Sequence, residues 1–335
     1  MIILATNSRQ PGVRCAPCSM LISSAATFYS VKAHDEVLEQ WHKVQQEAGS
    51  LSLHLPEVKF IEPYGMCALV LFLNHLPSQC LPVHMVLPGW PAGPEPAEAR
   101  GAAVGYLARM QFFPAVQQLL DVAPQDVPEH PGRVLDRHVL LEVSIMRSED
   151  AISGMLHKTG DILQNLRYTA PARGHVLEVL SELCSNVLMH SQSDFGAVAA
   201  MQTYRDKKGR RFVVMGIGDA GIGVRQSLGA NPAMADRLHS DAQALGVAVQ
   251  PGASRFAVGG HGGGLPRVLD IARRYGGRVS LRSGSGSLIY HGEEHHRRTS
   301  VAPPLQGTQL RIALPEAPMR SDEQGDLLAP QPSLT

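Results

Sequence analysis

Glu182-Leu183-Cys184-Ser185-Asn186-Val187-Leu188-Met189-His190 is the stretch on which the reading of this chain turns. Glu182, Asn186 and His190 stand at i, i+4 and i+8, so one helix presents all three on a single face. Leu183, Val187 and Leu188 between them supply the core-facing side. Taken alone, the pattern also fits a polar stripe facing solvent. Two later stretches change that balance. Asp219-Ala220-Gly221-Ile222-Gly223 follows a strand candidate at 212–215, and Gly260-His261-Gly262-Gly263-Gly264-Leu265 precedes a helix over 265–275 closed by Gly276-Gly277, a C-cap signal.

Each stretch suits one part of a magnesium nucleotide. A magnesium ion on phosphates takes hard oxygen ligands and keeps several waters, so the Asn186 amide is a fitting protein contribution. Glu182, one turn earlier, can orient or deprotonate an attacking water or hydroxyl. Asp219 can accept the exocyclic amine of adenine, with Gly221 and Gly223 letting the backbone come close to the ring; an ordinary Asp/Gly turn is the plain alternative. The amides of 260–264 can wrap phosphates at a helix N-terminus, although a glycine-rich hinge would look the same. No Gly-Lys-Ser/Thr follows, so this is not a Walker loop, and it does not sit in a Rossmann first turn.

With Gly307-Thr308 ahead of the last strand, these segments in this order resemble the GHKL ATPase superfamily, which includes histidine-kinase catalytic domains, gyrase B and anti-sigma-factor kinases. The resemblance covers about 140–315. It implies a Bergerat α/β sandwich, a mixed sheet with helices on one face, and ATP with Mg2+ as cofactors. It makes Asn186 the magnesium ligand, Asp219 the adenine contact with Gly221 and Gly223 in its turn, Gly262 and Gly264 contacts of lid and phosphates, Thr308 an indirect adenine partner, and Glu182 the catalytic base. The lid, 228–259, reads as a mobile segment poor in basic residues, with a weak helix near 233–245. Arg255 is its candidate for a phosphate contact. Residues 291–306, carrying Glu293, Glu294, His295, His296, Arg297 and Arg298, read as a charged, solvated insertion between the last two strands.

Upstream, Val37, Leu38, Trp41 and Val44 share one helix face, 51–55 alternates like a strand, and 65–76 is a nearly continuous apolar helix. Another short strand, 81–87, and a helical segment around 106–110 complete a small α/β module. Val58-Lys59-Phe60-Ile61-Glu62-Pro63-Tyr64-Gly65 resembles the strand, turn and helix of a STAS (anti-sigma-factor antagonist-like) domain. Pro63 and Tyr64 stand where that family has a phosphorylatable serine, which implies docking rather than a serine switch. The predicted division is an irregular segment 1–30, a STAS-like module 31–123, a proline-rich linker 124–136, a GHKL domain 137–315 and a disordered tail 316–335. On this reading the C-terminal domain stands alone when the chain is cut near Pro131.

Composition narrows the class further. At 335 residues and 44% hydrophobic, the chain can bury a sizeable core. Thirty basic and thirty acidic residues cancel, so charge gives no case for nucleic acid or an anionic membrane. No apolar run reaches the length of a bilayer span, and Met1 to Ala5 lack the features of a signal peptide; a cytoplasmic protein is expected. Five scattered cysteines argue against a disulfide framework. Cys15 and Cys18 have CxxC spacing, but no second pair completes a zinc site. The expected function is Mg-ATP-binding signalling, with slow hydrolysis or phosphorylation of a protein partner reached through the N-terminal module, or a homodimer. The alternatives are a non-catalytic, ATP-gated interaction protein and a sensor histidine kinase, for which His157 would have to be the phosphoacceptor.

Overall fold

Pro63–Asn74 is apolar on every side, and such a helix must be enclosed. The computed structural model describes residues 20–46, 49–77, 80–90, 102–123, 126–128, 139–256, 263–320 and 333–334. In it, every residue of this helix from Pro63 to Leu73 is buried. The N-terminal elements around it are β1 (Met20–Ser23), β2 (Phe28–Tyr29), α1 (Val31–Val44), β3 (Leu51–His54), β4 (Phe60–Ile61), α2 (Pro63–Asn74 itself), β5 (His84–Val86), α3 (Ala102–Arg109) and α4 (Phe112–Val116). Strands β1, β3 and β5 form a parallel sheet in that order, and β2 pairs in parallel with β4. Two of these strands, β1 and β2, correct the expectation that 1–30 is irregular. Met20 and Ile22 are buried while Leu21 and Ser23 are exposed, a two-residue period too short to stand out by composition.

The second half comprises β6 (Val139–Met146), α5 (Glu149–Asn165), α6 (Ala170–His190), β7 (Ala197–Asp206), β8 (Arg211–Asp219), α7 (Gly223–Gly229), α8 (Asp241–Ala248), α9 (Gly264–Arg274), β9 (Arg278–His291), β10 (His296–Pro315) and β11 (Ser333–Leu334). The chain is α/β, as its sequence predicts. Strands β7, β8, β10 and β9 lie side by side and antiparallel, with β6 antiparallel on the far edge of β7. Ala197, Ala199 and Met201 of β7, with Met215, Ile217, Leu310 and Ile312, face a core shared with α5, α6 and α9.

The opposite face of this sheet is not open. Val198, Ala200, Tyr204, Val214 and Ala313 belong to the same core as α1, α2 and the parallel sheet. Both faces of β7 and β8 are therefore covered, which is why their sequences run almost continuously apolar instead of alternating. Gly216 makes the contact between α2 and β8 this close: a side chain there would lie 2.4 Å from the Tyr64 amide nitrogen. Polar groups close the seam. Arg311 Nε meets Glu62 Oε1 at 2.7 Å, Arg282 Nη2 meets Asp35 Oδ1 at 2.8 Å, and the Tyr64 hydroxyl donates to Gln309 Oε1 at 3.0 Å. The proposed linker 124–136 lies largely outside the described residues. The two modules it separates in the sequence share one core, which corrects the expectation that the second stands alone.

Three further readings change. Residues 291–306 are not a solvated loop: they form the end and returning strand of one long hairpin, in which His296 pairs with His291 and Val301 with Gly286. Charged side chains on a strand exposed at the end of a sheet mimic a loop in composition. The segment expected to be a mobile lid is, over its described residues 228–256, built mostly of helix, with Leu228, Leu238, Ala244, Val247 and Ala248 forming a small core of their own and α8 packing on β9. The tail is ordered at its start. Glu316, 1% exposed, accepts from the Tyr168 hydroxyl at 2.7 Å and pairs with Arg211, and Met319 O accepts from the Thr169 amide. Further on, β11 pairs in parallel with the end of β7, which makes the sheet mixed.

Candidate functional site

Helix α6 begins at Thr169, whose side chain accepts from the Ala172 amide at 3.3 Å, an N-cap. Val176, Val179, Leu180, Leu183 and Val187 bury its inner face. That fixes the rotation of the helix, so Glu182, Asn186 and His190 all line one cleft of about 410 Å³. Glu182 is exposed, and Asn186 and His190 are half-buried. The cleft also contains Asp219, Gly223, Arg255, Gly264 and Thr308. The residues that sequence spacing groups as one site are thus brought together by α6, the end of β8, the start of α9 and β10.

The start of α9 explains one glycine. A Cβ on Gly264 would lie 2.8 Å from Glu182 Oε2 and 2.9 Å from Asn186 Nδ2. The ends of both α6 side chains thus lie against the N-terminus of this helix, where the first backbone amides have no partner within the helix, and a larger residue at 264 would have to push them aside. Outside the cleft, Arg267 of α9 grips Glu178 of α6 with bonds of 2.6 and 3.0 Å, a fork that holds the two helices in register. Gly262 lies outside the described residues.

Asp219 ends β8 and is 5% exposed. Its Oδ1 accepts from the Gly221 amide at 2.8 Å. Burial raises its pKa to about 6, and the amides of Gly221 and Thr308 pull the other way. What opposes burial is two backbone dipoles and no cation, so the carboxyl keeps acceptor capacity facing the cleft. The turn after it is braced from several sides: Ile222 N donates to Ser191 O at 2.8 Å, Gln306 Nε2 donates to Gly221 O at 2.8 Å, and Val224 N donates to Ser283 Oγ at 2.9 Å. Gly221 touches the Ser191 carbonyl so closely that a Cβ would sit 2.1 Å from it, and Gly223 has φ +75°.

Arg255 points along the rim, its Nη1 3.4 Å from Met189 O and its guanidinium 5.6 Å from the centre of the Phe256 ring. Ser191, Ser283 and Gln306 are the residues the sequence does not reveal. Ser283 and Gln306 become visible only once the register of β9 against β10 is known, because they reach the turn from distant strands. The buried thiols take no part: burial pushes Cys184 up to about 12 and raises Cys67 as well. Among the described residues no group of three or more His, Cys, Asp or Glu side chains is placed to hold a metal, and no helix is long and apolar enough to cross a membrane.

No family model matches the chain, and no curated protein matches it. Among solved structures it is similar to the histidine kinase domain of the blue-light activated histidine kinase from Erythrobacter litoralis EL346. The identity is 12%, over 52% of this chain and 67% of that one, with a TM-score of 0.24.

Proposed function

We propose that the cleft binds Mg-ATP and that the chain is a signalling protein of the GHKL type, which hydrolyses ATP slowly or phosphorylates a protein partner. One observation carries the reading: a buried acceptor without a cation, Asp219, shares a single cleft with a helix start beside the side-chain ends of Glu182 and Asn186. The donor set fits the ligand. On this reading Asp219 takes the adenine amine, the Asn186 amide supplies a hard oxygen for the metal, the start of α9 supplies N–H groups for the phosphates, and Arg255 stands at the rim. Magnesium, when bound, would supply charge neutralisation for the leaving phosphate oxygens. Glu182, exposed beside Asn186, orients the attacking hydroxyl and takes its proton. Positioning and charge stabilisation of this kind supply most of the catalysis in phosphoryl transfer.

His157 does not favour the sensor-kinase alternative. It lies on the exposed side of α5, whose other side, Ile152, Met155, Thr159 and Leu163, is packed into the nucleotide domain itself. The ATP-gated interaction reading draws on a different feature, the seam between the N-terminal module and the back of the sheet.

The direct test is thermal unfolding with and without Mg-ATP. Wild type should gain stability with ligand as RT ln(1 + [L]/Kd). Asn186→Ala should melt like wild type without nucleotide, since alanine is the better helix former, and should lose most of the Mg-dependent gain. Absence of any Mg-ATP shift in wild type would sink the proposal.

A further inference from the structure

Three neighbouring strands set Asp219, Thr308 and Ser283 in one row, with Thr308 opposite both of the others. Ser283 is 3% exposed, and its hydroxyl is fully used. Its proton goes to the Gly307 carbonyl at 2.9 Å, a group that can only accept, and its oxygen accepts from the Val224 amide at 2.9 Å. Thr308 Oγ1 lies 3.3 Å from the same oxygen. A hydroxyl has one proton and two acceptor positions. With the Ser283 proton committed to Gly307, the bond between the two hydroxyls has to run from Thr308 to Ser283. Thr308 therefore turns only lone pairs into the cleft, next to a carboxylate that also accepts.

We infer that Ser283 is a positioning residue that determines base selectivity: by fixing Thr308 as an acceptor, it makes the cleft take a purine edge that offers an amine and reject one that offers a carbonyl. This rests on the nucleotide reading above. The arrangement is one piece with the glycine turn. A Cβ on Gly223 would come 2.8 Å from Ser283 Oγ, so the glycine is what lets the Val224 amide reach that oxygen. The chemistry recognised is a 6-aminopurine nucleotide against a 6-oxopurine one.

The test compares fluorescently labelled ATP and GTP, each with Mg2+, binding to the full chain and its variants. Wild type should prefer ATP. In Ser283→Ala the Thr308 hydroxyl is free to rotate and donate, so the preference should fall about tenfold, chiefly through gained GTP affinity. The melting temperature without nucleotide is recorded alongside, because a merely structural role would lower it and weaken both ligands equally. Thr308→Val keeps the shape and removes the hydroxyl, so it should weaken ATP and spare GTP, and this arm stands even where Ser283→Ala does not fold. An unchanged preference in folded Ser283→Ala, or a Thr308→Val chain that loses GTP more than ATP, overturns the assignment while leaving nucleotide binding intact. A wild type that binds neither nucleotide overturns both this inference and the reading on which it rests.

Discussion

On the helical face of the main sheet, polar side chains stand around an open cleft; on the opposite face, they are buried in pairs beneath the N-terminal module. Asp219 on the first side is a carboxyl held out of water against two amides. Glu62 on the second, wholly buried, has Arg311 at 2.7 Å. The difference separates two uses of buried charge. An acceptor left without a cation in an open cleft is available to a ligand, whereas an ion pair buried between two elements fixes how their surfaces meet; Glu62 Oε2, left without a partner, is sealed there away from any ligand. The turn Glu62-Pro63-Tyr64 lies on the closed side. Glu62 stands just before α2, Pro63 opens it, and Tyr64 is fully buried against β10, so within one chain this turn faces the back of the main sheet.

The widest break in the comparison comes from removing the module altogether. Deletion of residues 1–138 would expose Val198, Ala200, Tyr204, Val214 and Ala313 together with Arg282 and Arg311. An apolar face of that kind with unpaired charges is an aggregation site, so the fragment should be insoluble or bind a hydrophobic dye, and the full chain should unfold in one transition. A soluble, cooperatively folding fragment would show that the shared core is dispensable.

A subtler break removes one partner of a pair. Arg311→Ala leaves Glu62 buried with its charge uncompensated, which costs about 3–5 kcal/mol in such settings, measurable as a lower urea midpoint. Glu62→Gln combined with Arg311→Met removes both charges and should recover much of the loss. If the single change costs no more than a surface substitution, the seam is looser than its geometry. The same substitution should leave the polar residues of the cleft in place, since Arg311 and Leu310 point to opposite sides of β10.

On the open side, Glu182→Ala alters an exposed side chain and should change stability by less than about 0.5 kcal/mol. Nucleotide affinity should be nearly preserved, while hydrolysis or phosphotransfer falls about 10²–10⁴-fold. Single-turnover assays with labelled ATP read this directly. If turnover survives, Glu182 belongs to the polar stripe alone.

These contrasts also mark what the sequence could convey. Helix α6 and the cleft residues on it were legible, because i, i+4, i+8 spacing survives into three dimensions, and Asp219 and Gly264 stand at element ends that glycine punctuates. The α/β class followed from alternating elements. What stayed hidden depends on partners far along the chain. Gly216 looks like any strand glycine until α2 lies on it. Arg282 and Asp35 are 247 residues apart and read as separate surface charges. The hairpin beyond His291 looked like a loop because its side chains are charged, and Glu316 looked like part of a disordered tail because Arg211 and Tyr168 are not near it in sequence. Patterns within one element are local, whereas burial of polar groups is decided by contacts between elements.

The smallest expected effect sharpens the comparison most, because it ties binding to stability at one atom group. Burial raises the Asp219 pKa from 3.8 to about 6. The native state therefore holds this proton more tightly than the unfolded chain, so the group's contribution to stability is present at pH 4 and lost as pH rises through 6. At neutral pH the charged carboxylate is a net burden of about 2–3 kcal/mol without ligand. Asp219→Asn keeps the shape and removes the charge. Its melting temperature without nucleotide should rise above that of wild type at pH 7.5 and match it more closely at pH 4.5. Its ATP affinity should fall about tenfold, the worth of a hydrogen bond to a charged acceptor. Wild-type affinity should itself decline between pH 7 and pH 5 as the carboxylate is protonated, while the variant stays flat. A variant that loses stability at pH 7.5, or binds ATP as tightly as wild type, would mean that Asp219 holds the turn and does not receive the base.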